Sequence, residues 1–307
     1  MPILPVLIIL YGVVTLLSLW RRSQWPGELL THLRLQLIAT GVIGAGLTFA
    51  IGEAWEWASI SLGLALVNYG ALPAQRWIKP DAGLAGQPGI TVVWANVWQK
   101  RKPMERTLAW AKAQNADVII LGEFPEVDPA EMLAGDYPHR LDTGPAPDKD
   151  YAVRMIAFSR QPIESEVVRE GPGPMNRPFL SMRVKIGEAA VSVMGVHPVP
   201  PYNSALLKER DQHISMLGPM LKAPFVLLGD FNTTPWCVGY GAIPGRRVGG
   251  YLWKPTWFSD VPLLGLPIDH ITISMGMTVS VYRVGPLLGS DHRAILARVH
   301  LPSGAKT

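Results

Sequence analysis

The chain has 307 residues, 28 lysines and arginines against 24 acids, a formal charge of +4 and a single cysteine, Cys237. One cysteine excludes an intramolecular disulfide framework and the paired-cysteine zinc and redox motifs, while the length admits one large domain or two smaller ones. The basic excess suits an anionic substrate, yet no Lys/Arg-rich run of the kind that tracks a nucleic-acid backbone occurs.

Charge is unevenly placed. The first 80 residues carry only Arg21, Arg22, Glu28, Arg34, Glu53, Glu56, Arg76 and Lys79. Three apolar stretches, at about residues 3–20, 35–51 and 57–74, each approach the ~20 residues that a helix needs to cross a bilayer. They predict a membrane anchor over 1–80 with three transmembrane helices, a multi-pass protein of the cell membrane whose first partner is the lipid bilayer. Gly41, Gly44, Ala45 and Gly46 would let helix backbones approach closely. Arg21-Arg22 follow the first apolar run, and nothing basic precedes it, so a retained helix is expected rather than a cleaved signal. The arginines, with Arg76 and Lys79, place the first loop and the remainder of the chain on the cytoplasmic side.

The Gly/Ala/Pro-rich stretch 81–89 reads as a linker, and a catalytic domain is expected over 90–303. Apolar runs predict strands near 90–97, 117–122, 152–158, 179–186, 190–196, 224–229, 268–274, 279–283 and 294–300. Helical patterns fall at 103–115 and 204–221. So many strands with so few helices argue for an α/β domain of two packed sheets flanked by helices. The Pro/Gly-rich pieces at 142–149, 171–178 and 241–250 read as loops.

Polar residues recur where apolar runs end: Asn96, Glu123, His197, Asp230 with Asn232, Asp269, and Asp291 with His292. Each alone could be a helix cap or a turn. Together, acids, amides and imidazoles at strand ends point to metal-assisted attack on a phosphate.

The motifs Trp94-Ala-Asn96-Val-Trp98, Leu121-Gly-Glu123, Phe158-Ser-Arg160, Gly195-Val-His197-Pro, Gly229-Asp-Phe-Asn232, Ile268-Asp-His270 and Ser290-Asp-His292 occur in that order. Over about residues 90–302 the chain resembles the DNase I-like endonuclease/exonuclease/phosphatase superfamily, which includes nucleases, sphingomyelinases and inositol-phosphate phosphatases. The resemblance implies a four-layer α/β sandwich, two packed mixed sheets between helices, with the site at one end of the facing sheets. It implies a divalent cofactor, Mg²⁺ or Mn²⁺, with Asn96, Glu123 and Asp291 matching metal-binding positions. Hard cations prefer such oxygen ligands.

By the same resemblance His292 is the catalytic histidine and Asp269 the carboxylate that orients it. His197 lies against the phosphate and protonates the leaving oxygen, and Asn232 donates to a phosphate oxygen. Either Asp230 or His292 is the base. The residue before the metal glutamate is commonly Gln in the family and is Gly122 here. Arg177 reads as a solvated loop residue and His270 as structural. Of Trp94, Trp98, Trp236, Trp253 and Trp257, all able to flank a cleft, Trp236 is expected at its rim.

These readings favour a membrane-anchored phosphoesterase acting by in-line attack of water on a phosphodiester or phosphate ester. Tethering at an interface favours a phospholipid or lipid-linked substrate over nucleic acid. A metal-dependent nuclease is the alternative, and a catalytically silent membrane interaction protein a further one; no protein partner is inferred. The resemblance extends to membrane-anchored bacterial relatives with outward-facing domains, which opposes the arginine count on sidedness.

Overall fold

A computed structural model describes residues 3–20, 22–52, 55–73, 77–128, 135–144, 154–249 and 254–302. Arg21, Glu53, Arg76 and Trp253 lie outside the described residues, as does position 303. The chain divides into two compact units. One comprises Met1–Gln75, Pro200–Lys208 and Thr233–Ala242, the other Arg76–Val199, Glu209–Asn232 and Ile243–Thr307.

The first unit holds helices α1 (Ile3–Trp20), α2 (Gly27–His32), α3 (Arg34–Ala50) and α4 (Trp55–Gly70). Among the described residues only α1 is long and apolar enough to cross a membrane. Its 18 residues rise about 27 Å. The apolar runs expected at 35–51 and 57–74 form shorter helices. α3 stops before Gly52, whose φ of 71° suits the left-handed turn that ends a helix.

Polarity in these helices is reversed relative to a water-soluble bundle. Leu7, Leu10, Leu16, Ile43, Leu47 and Leu66 are exposed, while Thr15, Ser18, Arg34, Ser61 and Asn68 are buried. Arg34 Nη1 donates to Asn68 Oδ1 (2.7 Å) and Ser18 Oγ (2.9 Å), and Asn68 Nδ2 to Thr15 Oγ1 (3.0 Å). The expected small-residue packing is used at two positions. A Cβ on Gly41 would lie 2.8 Å from Ala65 Cβ, and one on Gly44 2.7 Å from Ser61 Oγ, whereas Gly46 faces open space.

The second unit has two six-stranded mixed sheets, ordered β11-β12-β1-β2-β4-β3 and β5-β6-β7-β8-β10-β9. The strands are β1 (Ile90–Asn96), β2 (Val118–Gly122), β3 (His139–Asp142), β4 (Met155–Ser159), β5 (Ile163–Arg169), β6 (Phe179–Ile186), β7 (Ala189–Val196), β8 (Phe225–Asp230), β9 (Arg246–Arg247), β10 (Asp269–Ile273), β11 (Thr278–Val284) and β12 (Ile295–His300). Alternation along β1 and β2 explains the layers. Val92, Trp94, Val118 and Ile120 join a core with Leu228, Val193 and Ile271 of the other sheet. Their neighbours Val93, Ala95, Ile119 and Leu121 pack with Met104, Leu108 and Ala111 of α5 (Arg101–Ala113). Burial of both faces makes these strands unbroken apolar runs.

All nine expected strands are present, within a few residues at their ends, and three more appear. β3 has four residues and β9 two, too short to show a period. β9 also lies in a stretch read as loop. β5, Ile-Glu-Ser-Glu-Val-Val-Arg, is an edge strand whose charges keep that edge in water and erase the apolar pattern. The expected linker 81–89 is fastened to this unit: Asp81 N donates to Val279 O (2.8 Å), and a 3₁₀ turn at Ala82–Leu84 follows.

Candidate active site

Strand pairing gathers the predicted residues. β1 and β2 run parallel with Asn96 opposite Gly122, which leaves Glu123 just beyond the strand. β7 and β8 run parallel with Val196 opposite Gly229, so His197 and Asp230 emerge together. β10 runs antiparallel to β8 with Asp269 opposite Asp230. Gly229 is required at this crossing, because a Cβ there would lie 2.1 Å from Val196 O. Glu123 (φ 50°) and Asn232 (φ 48°) both hold left-handed backbone without being glycine, a strain that clusters at functional sites.

The side chains form a continuous chain. Asn96 Nδ2 donates to Glu123 Oε1 (2.9 Å), which lies 3.8 Å from His197 Nε2. His197 Nε2 is 3.5 Å from Asp230 Oδ2, and His292 Nε2 is 3.6 Å from the same oxygen. His292 Nδ1 lies 2.9 Å from Asp269 Oδ2, while Trp94 Nε1 donates to Asp269 Oδ1 (2.7 Å). Asp269 thus has both oxygens engaged and fixes the imidazole, leaving Nε2 directed at Asp230. Ser290 Oγ donates to Asn96 O (2.8 Å) and accepts from His292 N (3.1 Å), tying the two ends of the chain together.

Asn232 and Asp291 stand slightly apart. Asn232 N donates to Asp230 Oδ1 (2.9 Å) and its Nδ2 to Pro198 O (2.9 Å), so one amide proton expected for phosphate is committed to backbone. Asp291 Oδ2 accepts from Trp257 Nε1 (3.1 Å).

Burial sets the electrostatics. It raises the Glu123 carboxyl above the ordinary range, opposed by the Asn96 hydrogen bond. Burial and then the Asp269 charge push Asp230 up to about 8. Burial alone would lower His292, but Asp269 and Asp230 raise it to about 10. The Asp230–His292 pair therefore holds protons above neutral pH. His197 is held neutral by burial and then by Arg177 and His292.

Two residues acquire importance that the sequence did not suggest. Arg177 is buried, 6% exposed, rather than solvated, and its charge lowers both the Glu123 carboxyl and the His197 imidazole. Trp94 fills the space above Gly122, where a Cβ would meet its ring at 2.7 Å. A larger residue before Glu123 would displace the indole that holds Asp269. Trp236, expected at a cleft rim, is instead buried, and its Nε1 donates to His32 O (3.0 Å). His270 is fully buried beside Phe231, with ring centroids 5.8 Å apart.

His213, in α6 (Ser204–Met220), shows how this interior responds to acid. It packs on Phe179 with ring centroids 4.1 Å apart, and burial, then Arg177, lower it from 6.5 to about 3. A depressed histidine contributes stability above pH 6.5 that is lost as pH falls towards 3, at up to about 1.4 kcal/mol per pH unit. His213→Gln should therefore flatten the acid limb of a urea-unfolding series by one proton's worth of slope. An unchanged slope would remove His213 from that account.

Residues 93–292 match the endonuclease/exonuclease/phosphatase family model. The chain belongs to the endonuclease/exonuclease/phosphatase family. Its members hydrolyse phosphoester bonds with a divalent metal, and this chain is a hydrolase of that class. Solved structures share the fold. An endonuclease/exonuclease/phosphatase from Beutenbergia cavernae is 19% identical, with 70% of this chain and 72% of that one covered and a TM-score of 0.59. D. rerio TDP2 complexed with single-strand DNA product is 16% identical (69% and 99% covered, TM-score 0.57). Sphingomyelinase C from Streptomyces griseocarneus is 15% identical (69% and 99% covered, TM-score 0.51). No curated protein sequence matches the chain.

The residues present fit the family's cation. Glu123 is a mostly buried carboxylate whose burial disfavours its charge, with Asn96 offering an amide beside it. Asp230, Asp269 and His292 also bring ligand atoms within 4.8 Å of one another. Because Asp269 is engaged by Trp94 and His292, that trio reads better as a proton relay than as the metal cage.

Proposed function

We propose that the chain is a membrane-anchored, Mg²⁺-dependent phosphoesterase that hydrolyses a phosphodiester or phosphate ester of a phospholipid or lipid-linked substrate. The observation that carries the lipid reading is the reversed polarity of α1, α3 and α4, with leucines outward and an Arg34–Ser18–Asn68 network inward. Apolar surface facing outward over all three helices is stable in hydrocarbon, and buried polar side chains link such helices. On this reading all three lie in the bilayer, and the anchor brings the site to lipid phosphates at high effective concentration.

Glu123 and Asn96 would hold the cation, with Asp291 nearby, and the cation supplies charge neutralisation at the phosphoryl oxygens. The protein's own steps centre on Asp230. Its Oδ2 faces both imidazoles, so once the Asp230–His292 pair has released a proton, a water bound there can pass its own proton to the pair while Asp269 keeps the imidazole oriented. His197 Nε2, on the other side of Asp230, is placed to donate to a phosphoryl or leaving oxygen. Asn232 fixes the Asp230 carboxylate through its backbone N–H.

The full-length protein in detergent, assayed with Mg²⁺ and with EDTA, should release headgroup or phosphate from phospholipid or lipid-pyrophosphate micelles faster than it cleaves single- or double-stranded DNA. DNA cleavage alone would replace the lipid reading with the nuclease one. Silence with every substrate would favour the interaction-protein alternative.

A further inference from the structure

The first unit contains a second cluster of metal-ligating side chains, unrelated to the active site. Glu28 and His32 are four residues apart on α2 and so share one helix face. His32 Nε2 lies 3.1 Å from Glu28 Oε2. Cys237 approaches from the segment Thr233–Ala242, which belongs to the same compact unit. A carboxylate oxygen, an imidazole nitrogen and the sulfur all lie within 4.8 Å of one another. The three residues are 1%, 5% and 5% exposed.

We propose that Glu28, His32 and Cys237 form a zinc site of three protein ligands, its fourth position left to water, that fastens α2 to the segment following the catalytic Asp230–Asn232 turn. Carboxylate, imidazole and thiolate are zinc's ligand set, a softer one than the oxygen donors around Glu123. Bond lengths of about 2.0 to 2.3 Å imply ligand–ligand edges of roughly 3.3 to 3.8 Å, so the 3.1 Å His32–Glu28 pair would open slightly and edges of up to 4.8 Å would close by about 1 Å. The side chains are also preorganised. Trp236 Nε1 holds His32 O, Cys237 N donates to Thr234 O (3.0 Å), and Thr234 Oγ1 lies 3.1 Å from the sulfur.

One further observation points to a ligand. His32 Nδ1 is buried and has no hydrogen-bond partner, an orphan that such a site would otherwise avoid.

The test uses full-length protein in detergent, stripped by a chelator and dialysed against Zn²⁺ with excess Mg²⁺. One zinc per chain should remain in the wild type and in Asp230→Asn, and none in Cys237→Ser or His32→Ala. Thr234→Ala should weaken zinc binding about 10- to 100-fold, as loss of a supporting partner does. Because the Cys237 and His32 variants could misfold, Co²⁺ loading of the wild type gives an independent reading: a thiolate-to-cobalt charge-transfer band is expected. Absence of that band, or equal zinc in wild type and Cys237→Ser, would overturn the proposal and leave a hydrogen-bonded Cys–His–Glu relay.

Discussion

Asp269→Asn should leave the protein folded and lower kcat by about 10²- to 10⁴-fold, the range expected when a positioned proton-transfer system is disabled. Asp269 touches neither substrate nor metal on this reading, so the effect must pass through His292. Asn keeps an acceptor for Trp94 Nε1 but presents an amide N–H to His292 Nδ1 in place of a carboxylate oxygen. That reverses the favoured tautomer: the Nε2 facing Asp230 becomes a fixed donor and can no longer take a proton from the pair. The fold should tolerate the change because Asn is isosteric and removes a charge opposite Asp230 in the strand register. The decisive comparison is the double variant. If Asp269 acts only through His292, Asp269→Asn/His292→Ala should be no slower than His292→Ala alone, since residues that act as a unit are not additive. Additive losses would show that Asp269 has a separate role.

What the sequence disclosed, and what it concealed, follows from where each signal is written. The central strands were legible because both faces are buried, which turns β1, β2 and β8 into apolar runs ended by Asn96, Glu123 and Asp230. The edge strands were not, because β5 carries the charges that protect an open edge. The candidate site residues could be named from motifs, but the partners that hold them could not. Trp94 reaches Asp269 across 175 positions of sequence, and Trp236 reaches His32 across 204. No local pattern encodes either pairing. Arg177 was misjudged for a related reason: an isolated arginine in a Gly/Pro-rich stretch reads as solvated. The loop is in fact folded so tightly that a Cβ on Gly171 would lie 1.9 Å from Arg177 O. The first unit shows the complementary case. Hydropathy found its helices, whereas the inward polar network and the six-residue α2 emerged only once the helices were packed.

The second large effect should appear at Glu123, and its sign should depend on the metal. With Mg²⁺ at about 100 times its Kd, a site that binds only the folded protein adds about 2.7 kcal/mol of stability. Glu123→Gln should abolish most of that gain, because it removes the one charged oxygen ligand of the Asn96–Glu123 pair. In EDTA the order should reverse. Glu123 is a mostly buried carboxylate whose hydrogen bond from Asn96 does not offset its desolvation, so a neutral isostere relieves a cost that the metal-free protein bears. The variant should therefore unfold at a higher temperature than the wild type in EDTA and at a lower one in Mg²⁺. Such a crossing cannot arise from a general loss of packing, which would lower both curves. Turnover should fall with the metal response, whereas the zinc content assigned to Glu28, His32 and Cys237 should not change. An undiminished Mg²⁺ shift in Glu123→Gln would move the cation to Asp230, Asp269 and His292, a candidate-site cluster able to hold one. The relay assigned to those three residues would then have to be abandoned, because a carboxylate held by Trp94 and His292 cannot also serve a metal without releasing one of them.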